Sequence, residues 1–252
     1  MNYEFYSNQS NNIMNIAIIG YGKMGKTIEK IAKIRNHKIS LCYDETPSVH
    51  LLNNSNSNVA IEFSQPDSAF NNVKICVENN IPIVSGTTGW LEKFEIIKKI
   101  CKEKNGSLLY SSNFSIGMNI FFEINKKLSK LLHSYSKEYE VTIEEIHHKK
   151  KIDKPSGTAL SLAKDIVNNS MKKTWILDDK NDKKTKDQIL ISSKRFDNVP
   201  GIHIVKYESK IEEIRIQHQA HNRDGFALGA IIAAEWIQNK KGIFSMKEVL
   251  GI

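Results

Sequence analysis

Between residues 15 and 112 the chain alternates short apolar runs with longer amphipathic stretches, and this rhythm constrains the fold more than any other feature. NIAIIG (15–20) is apolar throughout and ends in glycine, as a strand buried on both faces does. Met24, Ile28, Ile31 and Ala32 then recur at helical spacing across 23–34. HKISLCYD (37–44), NVAIEFS (58–64), IPIVSG (81–86) and SLLYSS (107–112) read as further strands. Helices are predicted over 66–80, with Pro66 in the first turn where its missing N–H costs nothing, and over 91–105. Such alternation implies right-handed crossovers and a parallel sheet with helices on both faces.

Beyond residue 113 the pattern changes. A helical stretch is predicted over 116–133, followed by a strictly alternating strand over 139–148 and a helix over 155–167. The charge run 178–187 reads as a solvated loop. Strands follow near 189–194, 201–208 and 211–220; the last two alternate cleanly, so a mostly antiparallel sheet with one open face is expected. FALGAIIAAEWIQ (226–238) is too apolar for a surface helix and is expected to pack back on the first domain or fill an interface.

Composition narrows the class. With 40% hydrophobic and 25% charged residues the chain reads as an ordinary globular protein, and its 10 Phe, 8 Tyr and 3 Trp exclude disorder as the main state. The apolar runs fall far short of the roughly 18–20 residues of a membrane span. The polar segment 1–13 lacks the basic and apolar regions of a secretory signal and is expected to be a flexible extension. Cys42, Cys76 and Cys101 are odd in number and widely spaced, which fits reduced thiols in a cytosolic protein rather than a disulfide framework. The net charge of +8 comes from lysines scattered over helix faces without interleaved aromatics, which argues for a solvated surface rather than a nucleic-acid interface.

Three stretches carry chemistry. Gly20, Tyr21, Gly22, Lys23, Met24 and Gly25 have the G-x-G-x-x-G spacing between a predicted strand and a predicted helix, and Asp44 ends the next strand where a ribose-binding carboxylate belongs. A dinucleotide is therefore expected here. Asp44 is followed by Glu45 and Thr46 with no Arg or Lys, so the 2′-phosphate of NADPH is disfavoured and NADH is expected as the preferred cofactor. Gly86, Thr87 and Thr88 follow the fourth strand, and Ser111, Ser112, Asn113 and Phe114 follow the fifth, on the sheet edge where ligands bind. The third stretch is EIHHKKKIDKPSGTAL (145–160). His147, His148 and Lys151 precede Gly157 and Thr158 at a helix start, a combination suited to a carboxylate substrate and proton transfer. From spacing alone a solvated basic turn remains open. A metal is not expected, because lysines follow the histidines and no third ligand stands at a suitable spacing.

Together these stretches resemble the dihydrodipicolinate reductase family, the 4-hydroxy-tetrahydrodipicolinate reductases. The third stretch occupies every fixed position of the signature E-x-H-H-x-x-K-x-D-x-P-S-G-T-A from Glu145 to Ala159, and GYGKMG, SGTTG and NFSIGMN occur in the family's order. The resemblance covers about residues 14–252; Ser111 and Ser112 depart from it, standing where small Ala or Pro is common.

It implies an α/β fold: a Rossmann-like parallel-sheet dinucleotide-binding domain, residues 1–113 with 222–252, plus an α+β substrate-binding and oligomerisation domain, residues 114–221, with a mixed, largely antiparallel sheet. It also implies reduction of a cyclic dicarboxylate by NADH or NADPH in the diaminopimelate route to lysine. The expected setting is a cytoplasmic homotetramer without nucleic-acid or membrane partners. His147 matches the family's proton donor and Lys151 a second proposed donor, while His148, Gly157 and Thr158 fall on substrate-binding positions. Closure about hinges near Asn113 and His221 is expected as well.

Overall fold

The structure, a computed structural model, describes residues 12–149, 151–178, 185–197 and 199–252. In chain order the elements begin with β1 (Asn15–Ile19), α1 (Lys23–Ile34), β2 (Lys38–Tyr43), α2 (Val49–Asn54), β3 (Val59–Glu62), α3 (Pro66–Glu78), β4 (Ile83–Ser85), α4 (Phe94–Glu103) and β5 (Ser107–Tyr110). They continue with α5 (Ile116–Leu131), β6 (Glu140–His148), α6 (Gly157–Asn168), β7 (Thr174–Leu177), β8 (Gln188–Phe196), β9 (Gly201–Glu208) and β10 (Glu213–Ala220). The last are α7 (Asp224–Ile237), β11 (Gly242–Phe244) and α8 (Met246–Leu250). Two compact units result: one takes in the chain up to Ile116 together with Arg223–Ile252, the other Gly117–Asn222. The expected extension 1–13 and the charge run 178–187 fall largely outside the described residues.

The first unit is a six-stranded sheet in the order β11-β5-β4-β3-β1-β2, with every ladder parallel. Alternation along β1 sends Ile16 and Ile18 to one face, against α1 and α7, and Ala17 and Ile19 to the other, against α3 and α4. Each fully buried isoleucine stabilises the fold by roughly 1.5–3 kcal/mol. The apolar helix foreseen over 226–238 is α7; it fills one face of this sheet with Ala227, Ala230, Ile231, Ala233, Ala234 and Ile237.

A buried ion cluster ties α7 to the α1–β2 turn. The Arg35 guanidinium donates to both Glu235 oxygens, at 2.8 Å and 2.9 Å. His37 Nδ1 accepts the Met14 N–H, so Nε2 carries the ring hydrogen and gives it to Glu235 Oε1 at 2.8 Å.

The second unit is a five-stranded sheet in the order β10-β9-β6-β8-β7. The sheet is mixed, as expected: β6–β9 and β9–β10 are antiparallel, and β6–β8 and β7–β8 are parallel. The chain crosses over through α6 between β6 and the β7–β8 pair, and a crossover returns a strand in the same direction. Met118 and Phe121 from α5 and Leu162, Ala163 and Ile166 from α6 cover one face, over Val141, Ile143, Ile189, Ile191 and Val205. Buried Asn125 is satisfied there, accepting from the Tyr207 hydroxyl at 2.8 Å and donating to the Leu162 carbonyl at 3.2 Å. The opposite face holds a groove of about 280 Å³ lined by residues such as Thr142, Glu144, Ser192, Lys206 and Arg215. None of the helices among the described residues is long and apolar enough to cross a membrane.

Candidate functional site

The carboxyl edge of the first sheet has its topological switch point at β1 and β3, where ligands bind in such folds. Gly20 leaves β1 with φ +91, and a Cβ there would lie 2.2 Å from the Phe63 carbonyl oxygen. Gly25 lies in the first turn of α1, where a Cβ would stand 2.3 Å from the Gly20 carbonyl oxygen. Gly22 is the N-cap of α1, has no side-chain cap, and has open space where its Cβ would be. Free helix N–H groups beside empty space suit a pyrophosphate, so the residues present fit a dinucleotide. Gly25→Ala is expected to raise KM for the nicotinamide cofactor at least tenfold and to cost about 1–3 kcal/mol of stability, because the obstructing atom is backbone. Cofactor titration and thermal melting check this.

Asp44 directly follows β2, and its carboxylate accepts the Tyr21 N–H, which ties it to the glycine turn. Lys23 is exposed at the helix start, and Met24 packs against the core below. The Tyr21 hydroxyl donates to Glu29, and that bond pushes the phenol pKa up to about 12.

The turns after β3, β4 and β5 share this edge. Buried Glu62, ending β3, ties the first two together: its carboxylate accepts from Ser85 Oγ at 2.6 Å, Thr87 Oγ1 at 2.7 Å and the Ser64 N–H at 2.9 Å. Thr87 is therefore buried and held, whereas Thr88 is exposed. Gly86 lies under the Phe63 ring, where a Cβ would meet a ring carbon at 2.2 Å. Ser111 Oγ donates to the Asn113 carbonyl at 2.7 Å, and Ser112 is exposed. Phe114 is a correction to the expected cofactor-lining set: its ring is 1% exposed and belongs to the core, so only its backbone is available at this edge.

In the second unit, alternation along β6 turns Glu145 and His147 to the helix-covered face and His148 to the other. Glu145 is fully buried and accepts from the Ser156 N–H at 3.1 Å, Ser193 Oγ at 2.7 Å and Arg195 Nη2 at 3.2 Å. Burial alone would raise its pKa, but hydrogen bonds from His147, Ser156, Ser193 and Arg195 outweigh it and hold the carboxyl well below the usual range. His147 Nε2 lies 3.5 Å from Glu145 Oε2 and 3.2 Å from His203 Nε2. Burial, reinforced by neighbouring His147, pushes the His203 pKa down to about 3.

Ser156 caps α6, its hydroxyl accepting the Ala159 N–H at 3.2 Å, so the helix starts at Gly157 rather than at the expected 155. Gly157 is exposed, with open space around its Cβ position, and Thr158 follows in the first turn. The exposed N-terminus and the His147 cluster adjoin, since Ser156 Oγ is 3.4 Å from His203 Nε2. Lys151 pairs with Asp153 at 2.7 Å. Burial works against ionisation of Asp153, yet the Lys151 ammonium outweighs it and lowers that carboxyl's pKa.

Sequence reasoning did not single out Arg195 or His203. Both lie on distant strands, and only the β6–β8 and β6–β9 ladders bring them to His147. Sequence spacing offers no third metal ligand beside His147, but the sheet brings one there. Glu145, His147 and His203 each offer an atom within 4.8 Å of the others. The Arg195 guanidinium already supplies positive charge to that carboxylate.

Comparisons with known proteins identify the family. Sequence profiles described as Dihydrodipicolinate reductase, N-terminus, and Dihydrodipicolinate reductase, C-terminus, match residues 14–114 and 117–250. The 4-hydroxy-tetrahydrodipicolinate reductase of Christiangramia forsetii is 50% identical over 238 residues, covering 94% of this chain and 98% of that protein. The enzyme of the same name from Rickettsia bellii is 38% identical over 240 residues, covering 93% of each chain. A dipicolinate-bound dihydrodipicolinate reductase from Paenisporosarcina superposes with a TM-score of 0.70 at 21% identity, covering 93% of this chain and 98% of that one, a likeness of fold. Matched in both halves and half identical to a curated relative across almost its whole length, the chain belongs to the dihydrodipicolinate reductase family.

Proposed function

We infer that this chain reduces 4-hydroxy-tetrahydrodipicolinate to tetrahydrodipicolinate in the diaminopimelate route to lysine, using a nicotinamide dinucleotide. Membership of the family carries the reaction class. The observation that carries the chemistry is buried His147, joined through His203 to Ser156 at the open N-terminus of α6. Net, a hydride and a proton enter the substrate and its hydroxyl leaves as water. The reduced nicotinamide supplies the hydride; the protein adds alignment, charge and the proton.

On this reading, Gly20 to Gly25 hold the pyrophosphate, Asp44 the ribose, and Gly86, Thr87, Thr88 and Ser111 to Asn113 the nicotinamide half. In the second unit the N–H groups of Gly157 and Thr158, with His148, hold a substrate carboxylate, as a helix N-terminus favours an anion. His147 gives the proton to the enamine left after hydride addition. Lys151 is the second donor and charge partner, exchanging its Asp153 contact for the substrate. The setting is cytoplasmic, and the chain works as a homotetramer, for which the grooved open face of the second sheet offers a surface.

NADH is the preferred cofactor, since Asp44 and Glu45 stand where a 2′-phosphate would come and both repel it. The test supplies aspartate semialdehyde, pyruvate and the partner synthase, and follows loss of reduced cofactor by absorbance. Turnover with both cofactors and a higher kcat/KM for NADH is expected. No turnover would overturn the function, and a tenfold advantage for NADPH would overturn only the preference.

A further inference from the structure

We propose that His203 is a positioning residue for His147, fixing its ring orientation and tautomer so that the proton is gained and released at Nε2, beside the start of α6. This rests on the reading of His147 as the proton donor.

The hydrogen-bond geometry assigns the hydrogens. His147 Nδ1 lies 3.3 Å from the Pro200 carbonyl oxygen, which can only accept, so Nδ1 carries hydrogen. The other ring nitrogen, Nε2, faces His203 Nε2 at 3.2 Å. Two lone pairs cannot share that contact, so with His147 uncharged His203 Nε2 donates; once His147 is charged, its Nε2–H is the donor, with Glu145 Oε2 at 3.5 Å as its acceptor. His203 Nδ1 is then an acceptor, and that atom is buried without a hydrogen-bond partner. An orphaned nitrogen lone pair costs free energy on burial, and the arrangement persists because both rings are packed. The rings meet edge to face with centroids 4.9 Å apart, and a Cβ on Gly201 would come within 3.0 Å of His147 Cε1.

Further groups around the pair define its charge. The Glu145 carboxylate stands 3.9 Å from His203 Nε2, Arg195 on β8 is bound to Glu145, and His218 and Lys151 add electrostatic influence on His203. His203 itself is held uncharged by burial, so it orients rather than titrates. Ser156 Oγ, 3.4 Å from His203 Nε2, links the pair to the N-cap of the helix that receives the substrate anion. A change at His203 therefore acts on proton delivery rather than on the nucleotide.

The test compares His203→Leu, His203→Gln and His147→Gln in the full chain, using enzymatically generated substrate and NADH. Glutamine places an amide N–H close to the position of the histidine Nε2–H; leucine fills similar space with no donor. His203→Leu is expected to lower kcat at least tenfold, with KM for NADH within twofold and a larger solvent deuterium isotope effect on kcat. His203→Gln is expected to recover most of the rate. The proposal is overturned if His203→Leu keeps kcat within twofold, or if both His203 variants lose rate equally and in step with their melting temperature. A large loss in His147→Gln with an unaffected His203→Leu overturns the positioning role alone. Near-normal kcat in His147→Gln overturns the donor reading, and the positioning role with it.

Discussion

His147→Gln lowers kcat by about 10²–10⁴-fold while KM for NADH stays near its wild-type value; this is the largest functional effect expected of any single substitution here. The loss corresponds to roughly 2.7–5.5 kcal/mol of transition-state stabilisation. Glutamine approximates the length of the ring and sets an amide near the position of Nε2, 3.2 Å from His203 Nε2 in the wild type. It has no exchangeable acid proton to give near neutral pH. The proposed nucleotide site, the glycine turn with Asp44, lies in the other unit, so the deficit is expected to fall on chemistry. Steady-state kinetics with both substrates varied separate the two parameters, and an unchanged kcat would remove His147 from the donor role.

The second large effect concerns stability. Glu235→Ala is expected to destabilise the protein by about 3–5 kcal/mol, since it removes the carboxylate that binds Arg35, only 7% exposed, through two hydrogen bonds. Burial alone would raise the Glu235 pKa, but His37 and Arg35 outweigh it and lower the carboxyl below its ordinary 4.5. A carboxyl with a depressed folded-state pKa contributes stability that is present above the unfolded value and lost as pH falls through the folded one. The gap in unfolding free energy between wild type and Glu235→Ala is thus full at neutral pH and narrows as pH drops below about 4.5. Urea melts at several pH values measure it, and a gap that widens in acid would contradict the assignment.

The first unit is readable from the chain because its strands are apolar over their full length and its helices repeat with clear period. β1, α1, α3 and β5 fall where Ile16–Ile19, Ile28–Ile31, Pro66 and Leu108–Leu109 place them. Short elements leave no such mark. α2 buries only Leu52, and β7 and β11 have four and three residues, too few to show alternation. The parallel placement of β8 beside β6 is also invisible locally, because an alternating strand looks the same in either direction. The site divides likewise. His147 and Gly157 stand in one recognisable stretch, and the glycine turn in another. Arg195 and His203 acquire meaning only from ladders joining segments about fifty residues apart, and Phe114 looks like a loop residue until the core closes over its ring.

The first unit is interrupted by the second, since its last strand, β11, pairs with β5 across the whole intervening segment. A ribosome therefore emits Gly117–Asn222 complete before α7 exists. The nascent second unit holds all of its own strands at that moment, whereas the first has Ile16, Ile18 and Leu109 still uncovered on the face that α7 will occupy. Synthesis order thus favours the inserted unit maturing first, and leaves an oily half-sheet in need of shelter until Arg223–Ile252 is released.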